Sequence, residues 1–202
     1  MKKDSEHARM NRIHVRHPAT GIVLLLAVFV WAGCAALEGV QTVKVHRHLF
    51  KPDLPASFAS VYGGKRVDLN DFINRDQKTR VWTYYSPDRK FAYEASVPLE
   101  YYAMDCFREA FWKAGMAVMK FTPDKNIPDM SLVIDRWSDQ EFKFTVTVMK
   151  GGFETYKNQF DILMPSLDEK AGPVDRENNA YAMMNKAVVA VMSDPVFQAM
   201  FK

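Results

Sequence analysis

The chain contains few of the residues from which catalytic sites and disulfide-bonded domains are built. It has two cysteines, five histidines and nine glycines among 202 residues. The usual motifs for phosphate loops, dinucleotide binding, zinc hydrolysis, disulfide exchange and serine hydrolysis are all missing. The sequence therefore excludes these common site templates. We expect a protein that is not an enzyme, with no metal site and no cofactor.

The first 33 residues have the pattern of a secretory leader. A basic stretch precedes an apolar run from Gly21 to Val30, and the small residues Ala32 and Gly33 follow. A basic beginning, about 7–15 apolar residues and small residues before the cleavage point are typical of signal peptides. An uncleaved anchor is one alternative, because the segment from Gly21 to Leu37 carries no charge, and simple secretion is another.

The residues Ala32, Gly33 and Cys34 resemble the lipobox of bacterial lipoproteins, with Trp31 where that motif has an aliphatic residue. The resemblance implies cleavage before Cys34 and attachment of acyl chains to its sulfur. Two or more acyl chains hold a protein at a membrane without help from the protein surface. Because Ala35 follows Cys34 where an inner-membrane lipoprotein has aspartate, the resemblance implies the periplasmic face of the outer membrane.

Charge and cysteine content agree with export. The predicted leader holds five Lys or Arg and two Asp or Glu, so the remaining 169 residues carry 22 of each and no net charge. Bulk charge therefore gives no support for a nucleic-acid partner. With Cys34 acylated, only Cys106 remains and no intrachain disulfide can form. A free thiol in an oxidising compartment is best explained by burial.

Two long helices are predicted from apolar side chains at three- and four-residue steps. The first begins near Pro98 and ends near Ala114, before Gly115. The second is capped by Asn179 and ends where Asp194 and Pro195 break it, before a short helix with Phe197 and Phe201. The polar stretch 166–178 is predicted to be a loop.

The clearest β pattern is a hairpin. Gly151 and Gly152 supply a tight turn between an alternating strand and its partner, Phe153–Leu163, and the apolar residues of the first strand are Phe142, Phe144, Val146 and Val148. Shorter strands are predicted within 40–48, 66–69, 79–85 and 131–134. The simplest way to bury these faces is an α+β fold, in which an antiparallel sheet carries two main helices on one face. We place a signal peptide at 1–33, the lipidated Cys34 and a tether at 34–60, and one domain at 61–202.

Several polar groups that could carry chemistry have simpler interpretations. His46 and His48 face one side of an extended segment and could bind a metal with a third ligand, but a mobile polar pair near the tether is simpler. Asp135, Asp139 and Glu141 flank a predicted turn, where solvated residues are commoner than a general acid–base couple. Cys106 lies on the apolar stripe of the first helix, as a small core residue would.

A cluster of aromatic residues is more unusual than these polar groups. Trp82, Tyr84, Tyr85, Phe91 and Tyr93 place five aromatic residues within twelve positions. One interpretation is a wet aromatic surface for a lipid, a glycan or a protein, with Trp82, Tyr84 and Tyr85 as partner-binding residues. The other is a strand with one face in the core and one face exposed.

The order of elements over about residues 80–201 resembles the small envelope lipoproteins that serve as auxiliary subunits of lipid and lipopolysaccharide transport systems. The shared features are the first helix ending at Gly115, the strand after Pro128, the Gly151-Gly152 hairpin and the helix broken at Asp194. The resemblance implies a two-layer α+β domain that docks onto a protein partner in an envelope complex without catalysis. Of site residues it transfers Cys34 alone. The alternative is a periplasmic ligand-binding or hydrolytic domain with a site built from scattered residues.

Overall fold

A computed structural model describes residues 40–76, 83–85, 91–168 and 170–202, and for residues 83–85 it describes the backbone alone. The class is α+β, as the sequence predicts. The described elements are β1 (Gln41–Val45), a 3₁₀ turn (Arg47–Leu49), α1 (Phe58–Tyr62), β2 (Arg66–Asn74), β3 (Thr83–Tyr85), β4 (Phe91–Ala95), α2 (Leu99–Lys113), β5 (Ala117–Met119), β6 (Asp129–Trp137), β7 (Glu141–Lys150), β8 (Phe153–Leu163), α3 (Pro173–Ser193) and α4 (Pro195–Ala199).

The main sheet has five strands in the order β5-β2-β6-β7-β8. β6, β7 and β8 form an antiparallel meander, and Gly151 and Gly152, with φ of 65° and 85°, make the predicted turn between the last two strands. β2 instead pairs in parallel with both β5 and β6. The sheet is therefore mixed, whereas the sequence predicts an antiparallel one. The reason is the long connection through α2, which returns the chain alongside β2 in the same direction.

The hairpin and the two long helices share one hydrophobic core, as predicted. Phe144 stacks against Phe142 and Phe160 within the sheet and meets Phe107 of α2 edge-on. The apolar face of the hairpin strand and Cys106 are in this core as expected, and the helices contribute further apolar side chains. The residues concerned are Phe142, Phe144, Val146 and Val148 of the strand, and Leu99, Cys106, Ala110, Val188 and Val191 of the helices.

A second, smaller sheet has the order β1-β4-β3. β1 lies against α3, and its Val43 and Val45 are buried in the same core as Phe91 and Tyr93 of β4. The compact unit that contains the described residues therefore begins at Val40, within the segment that the sequence assigns to the tether. The extended piece predicted within 40–48 is confirmed as β1, whereas its parallel pairing with β4, with Gln41 opposite Phe91, was not predicted.

Helix α3 begins at Pro173, inside the stretch predicted to be a loop. Pro173 suits a first helical position, and the Asp175 carboxylate accepts a hydrogen bond from the Gly172 N–H at 3.0 Å. Asn179 is not the cap. It lies buried within the helix and donates to the Asp139 carbonyl at 2.7 Å. Helix α2 ends as predicted, with Gly115 at a φ of 84°.

Replacing Phe144 by alanine should lower the free energy of unfolding by about 3–5 kcal/mol, because the ring is fully buried. Chemical denaturation followed by circular dichroism measures this loss. Phe153→Ala is the matched control: its ring is 75% exposed, so the change should be about 0.5 kcal/mol or less. A loss below about 1 kcal/mol for Phe144→Ala would contradict its place in the core.

Candidate functional site

The residues that the sequence selects for anchoring and partner binding lie largely beyond what the structure describes. Cys34 and Trp82 are outside the described residues, and Tyr84 and Tyr85 lie in β3, where only the backbone is described. Phe91 and Tyr93, from the same aromatic group, are core residues of β4. The partner-binding role of Trp82, Tyr84 and Tyr85 stays a prediction.

His46 belongs to a polar cluster on α3 and is not part of a mobile pair. Its ring Nδ1 lies 2.7 Å from Glu177 Oε1, and its backbone N–H donates to the Tyr181 hydroxyl at 3.1 Å. Tyr181 in turn donates to Glu177. The His48 ring packs edge-on against that of His46 at 5.8 Å. Within the described part of the chain, no serine, threonine or cysteine hydrogen-bonds to His46, so no nucleophile is paired with this ring there. The cluster joins the chain after β1 to α3.

Burial and hydrogen bonds together determine the pKa values of Glu177 and Tyr181 in this cluster. Burial alone would raise the pKa of Glu177, but hydrogen bonds from Tyr181 and His46 outweigh it and hold that pKa below its ordinary value of 4.5. Burial, and then the hydrogen bond to Glu177, raise the pKa of Tyr181. Because the pKa of Glu177 is lower in the folded state, its carboxylate stabilises the fold above its ordinary pKa, and this contribution is lost as the pH falls through the lowered value.

Asp139 is one half of a buried ion pair, which corrects its interpretation as a solvated turn residue. Its Oδ2 accepts from Arg176 Nη1 at 3.1 Å, and the two side chains are 6% and 7% exposed. The guanidinium lies 3.7 Å from the centre of the Phe91 ring. A buried charge is tolerated where it is paired and hydrogen-bonded. The pair therefore joins α3, the β6–β7 turn and the small sheet.

The other predicted polar groups also have structural partners. Asp135 Oδ1 lies 3.9 Å from Arg75 Nη1, and Glu141 Oε2 lies 3.0 Å from Arg136 Nε. Cys106 is buried, as predicted, and burial raises the pKa of its thiol. A protonated, buried thiol is a poor nucleophile.

A surface that the sequence analysis missed lies at the end of the main sheet where β2 and β6 begin. Asp68 is buried there, and its two oxygens accept from the backbone N–H groups of Phe121 and Thr122 at 2.9 and 2.6 Å. Phe121 has a positive φ of 57°. A non-glycine residue in that region costs about 1–2 kcal/mol, whereas a hydrogen bond to a charged group contributes about 1.5–3 kcal/mol. The Asp68 carboxylate is therefore sufficient to hold the strained loop.

The strained loop exposes an aromatic ring. Phe121 is 65% exposed, and Phe153, just after the Gly151-Gly152 turn, is also largely exposed. A hydrogen bond of 2.7 Å from the Gly151 N–H to the Lys125 carbonyl joins the two loops. A cavity of about 230 Å³ between them is lined by Thr122 and Gly152, the chain neighbours of the two rings. Strain of this kind concentrates at functional sites.

Five cationic side chains surround the same end of the sheet: Lys65, Arg66, Lys120, Lys125 and Lys150. Lys65 precedes β2 and Arg66 begins it, Lys120 and Lys125 lie in the loop before β6, and Lys150 ends β7. Among the described residues, no carboxylate oxygen lies within 4.0 Å of their charged nitrogens. We name these five cations, together with Phe121 and Phe153, the basic end.

A second cavity, of about 260 Å³, opens among the cations. Lys65, Arg66 and Lys150 line it, and Ile127 forms a wall that it shares with the first cavity. Lys150 Nζ donates to the Met200 carbonyl at 2.9 Å, which holds this ammonium at the chain segment after α4. The arrangement is chemically suited to bind a carboxylate or a phosphate.

The first cavity has an acidic wall. Asp129 lines it, and its Oδ1 is buried without a hydrogen-bond partner among the described residues. Burial raises the pKa of Asp129, and the hydrogen bond from Asn70 partly opposes this. Nowhere in the described ranges are three His, Cys, Asp or Glu side chains grouped to hold a metal ion. None of the described helices has the length and apolar character to cross a membrane.

Sequence reasoning missed the basic end because three separate segments build it. Lys65 and Arg66 come from the first, Lys120 to Lys125 from the second and Lys150 to Phe153 from the third, and the chain after α4 lines the second cavity. A positive φ is usually marked by glycine or asparagine, and Phe121 is neither. The available signal was a phenylalanine beside lysine in a turn region, which is weak by itself.

Comparisons with known proteins bear on the fold alone. No protein-family model matches the chain, and no curated protein matches it. Among solved structures, the chain is similar to protein XCC0632 from Xanthomonas campestris, described as DUF330, with a TM-score of 0.53 and 10% identity over 79% of this chain and 96% of that one. Another match, titled only as an uncharacterized protein, has a TM-score of 0.48 and 8% identity over 76% and 95%. The likeness to XCC0632 shows a shared fold and transfers no residue roles.

Replacing Phe121 by asparagine should raise the free energy of unfolding by about 0.5–1 kcal/mol, because asparagine tolerates a positive φ. Urea denaturation measures the change. The control is Phe153→Asn, which removes a ring that is also largely exposed, but from a strand, and should not stabilise the protein. A fall in stability for Phe121→Asn would show that the ring contributes packing and that its backbone is not strained.

Proposed function

We propose that the protein is a non-enzymatic lipoprotein, anchored in the outer membrane through acyl chains on Cys34, whose periplasmic domain docks onto a partner protein as an accessory or assembly subunit of an envelope complex. The anchor is supported by Ala32, Gly33 and Cys34 after the apolar run. The docking role is supported by the basic end. A role in lipid or lipopolysaccharide transport follows from the resemblance of the element order to auxiliary lipoproteins.

The exposed, strained ring of Phe121 is the observation that carries the docking role. Stability alone favours glycine or asparagine at its φ of 57°. Aromatic side chains are enriched at protein interfaces, where they supply contact area. Phe121 and Phe153 flank a cavity at one end of the sheet, which is the arrangement expected of two anchor residues.

The polar clusters of the domain support binding over hydrolysis. His46 is engaged by Glu177 and Tyr181, Asp139 by Arg176, and Cys106 is buried. Each of these groups has a structural task, and acid–base or nucleophilic catalysis needs a group free to reach a substrate.

Replacing Cys34 by serine should abolish labelling of the protein by radioactive palmitate, because serine has no thiol to acylate. The domain should then appear in the soluble periplasmic fraction or remain as an unprocessed precursor. Cys106→Ser serves as the control and should keep full labelling. Persistent labelling of the Cys34 variant would contradict the anchor.

A photo-crosslinking amino acid placed at Phe121 or Phe153 in living cells should give a discrete covalent adduct with a protein partner. The matched control position is Leu163, which is 65% exposed at the opposite end of β8. It should give no adduct of the same mass. Adducts of equal yield from all three positions, or none from the two phenylalanine positions, would contradict docking through the basic end.

A further inference from the structure

Arg66 differs from the other described arginines in having no carboxylate partner. Among the described residues, every other arginine has a carboxylate oxygen within 4.0 Å, namely Arg47, Arg75, Arg108, Arg136 and Arg176. The chain after the predicted leader carries no net charge, so the cluster of cations around Arg66 is not the result of an excess of basic residues. Like charges held together repel one another, and an anionic group between them relieves this repulsion.

The three carboxylates that line the first cavity accept hydrogen bonds from groups other than these cations. Asp68 accepts from two backbone N–H groups, Asp124 Oδ1 accepts from the Asn126 N–H at 3.0 Å, and Asp129 Oδ2 accepts from the Asn70 amide at 3.1 Å. They support the loops. Lys202 also lines the cavity of Lys65, Arg66 and Lys150, and no carboxylate oxygen of the described residues lies within 4.0 Å of the charged nitrogens of those three cations. This cavity is complementary to an anionic group from outside the chain.

The two exposed rings beside these cations favour a protein as the source of that group. Phe121 and Phe153 are 65% and 75% exposed, and they flank the cavity that adjoins the cavity of Lys65, Arg66 and Lys150. Aromatic side chains are enriched in the centre of protein interfaces, where a polar rim surrounds them.

We propose that the basic end binds an acidic segment of the partner protein. Carboxylates of that segment enter the cavity of Lys65, Arg66 and Lys150, and its apolar side chains cover Phe121 and Phe153. The pattern matches interfaces in which aromatic anchors give affinity and surrounding charges give orientation and rate. The inference rests on the proposed docking function and names the chemistry of the partner.

The test uses the full acylated chain in nanodiscs of phosphatidylcholine and a fluorescein-labelled peptide with three repeats of Glu-Glu-Phe-Ser. Fluorescence anisotropy should show that this peptide binds at least about tenfold more tightly than its Gln-Gln-Phe-Ser counterpart, a difference of about 1.4 kcal/mol. The affinity should fall as salt is added, because exposed charges are screened. Empty nanodiscs provide the blank.

The double variant Lys65→Gln/Arg66→Gln should lose at least about tenfold in affinity for the glutamate peptide. The matched control is Lys170→Gln/Lys186→Gln, which removes the same charge from exposed lysines outside the basic end and should bind as the parent does. Equal affinity for the two peptides, or equal losses in the two double variants, would overturn the proposal.

Two competitors separate the acidic segment from a phosphate ligand. Dihexanoyl phosphatidylglycerol below its micelle concentration, and inorganic phosphate at matched ionic strength, should not displace the glutamate peptide more effectively than dihexanoyl phosphatidylcholine and chloride do. Selective displacement by either would overturn the proposal in favour of a phosphate ligand. If the crosslinks from Phe121 and Phe153 form while charge has no effect on peptide binding, docking stands and only the acidic character of the partner is refuted.

Discussion

A carboxylate buried in a protein must be met by hydrogen-bond donors, and this constraint determines the arrangement of both ends of the domain. At one end, Asp139 is met by Arg176, which fixes the β6–β7 turn, the beginning of α3 and the ring of Phe91 relative to one another. At the other end, Asp68 is met by the N–H groups of Phe121 and Thr122, which fix the loop before β6. The hydrophobic core between them supplies most of the stability, but it does not specify these loop geometries.

The Asp68 loop connects stability to function. Its two charge-assisted hydrogen bonds offset the strain at Phe121, so an exposed aromatic ring is kept at a position where folding alone favours another residue. The cations around it add repulsion that the net-neutral domain could have avoided by dispersing them. The binding surface that we propose explains both local costs at this end of the sheet, because a partner would cover the ring and neutralise the charge.

Local patterns in the sequence predicted the elements whose form depends on residues close to them in the chain. Alternation placed Phe142 and Phe144 in the core, paired glycines gave the β7–β8 turn, and Gly115 ended α2. The pairings with distant partners were not predicted: β1, which was expected to be extended, pairs with β4, and β2 pairs in parallel through a long connection. The beginning of α3 was missed because its first turns are polar. In the sequence, Asp139 looks like a solvated turn residue, because the ion pair that buries it is made with Arg176 of another element.

The sequence by itself determined the α+β class and the composition of the core, including the burial of Cys106. It also carries the whole basis for anchoring at Cys34, which lies outside the described residues. Only the tertiary structure brought Lys65, Arg66, Lys150, Phe121 and Phe153 to one surface. The reason is physical: periodicity reports which face of an element avoids water, whereas a binding surface is made where several elements meet, and their relative placement depends on packing and on buried charges that no local pattern records.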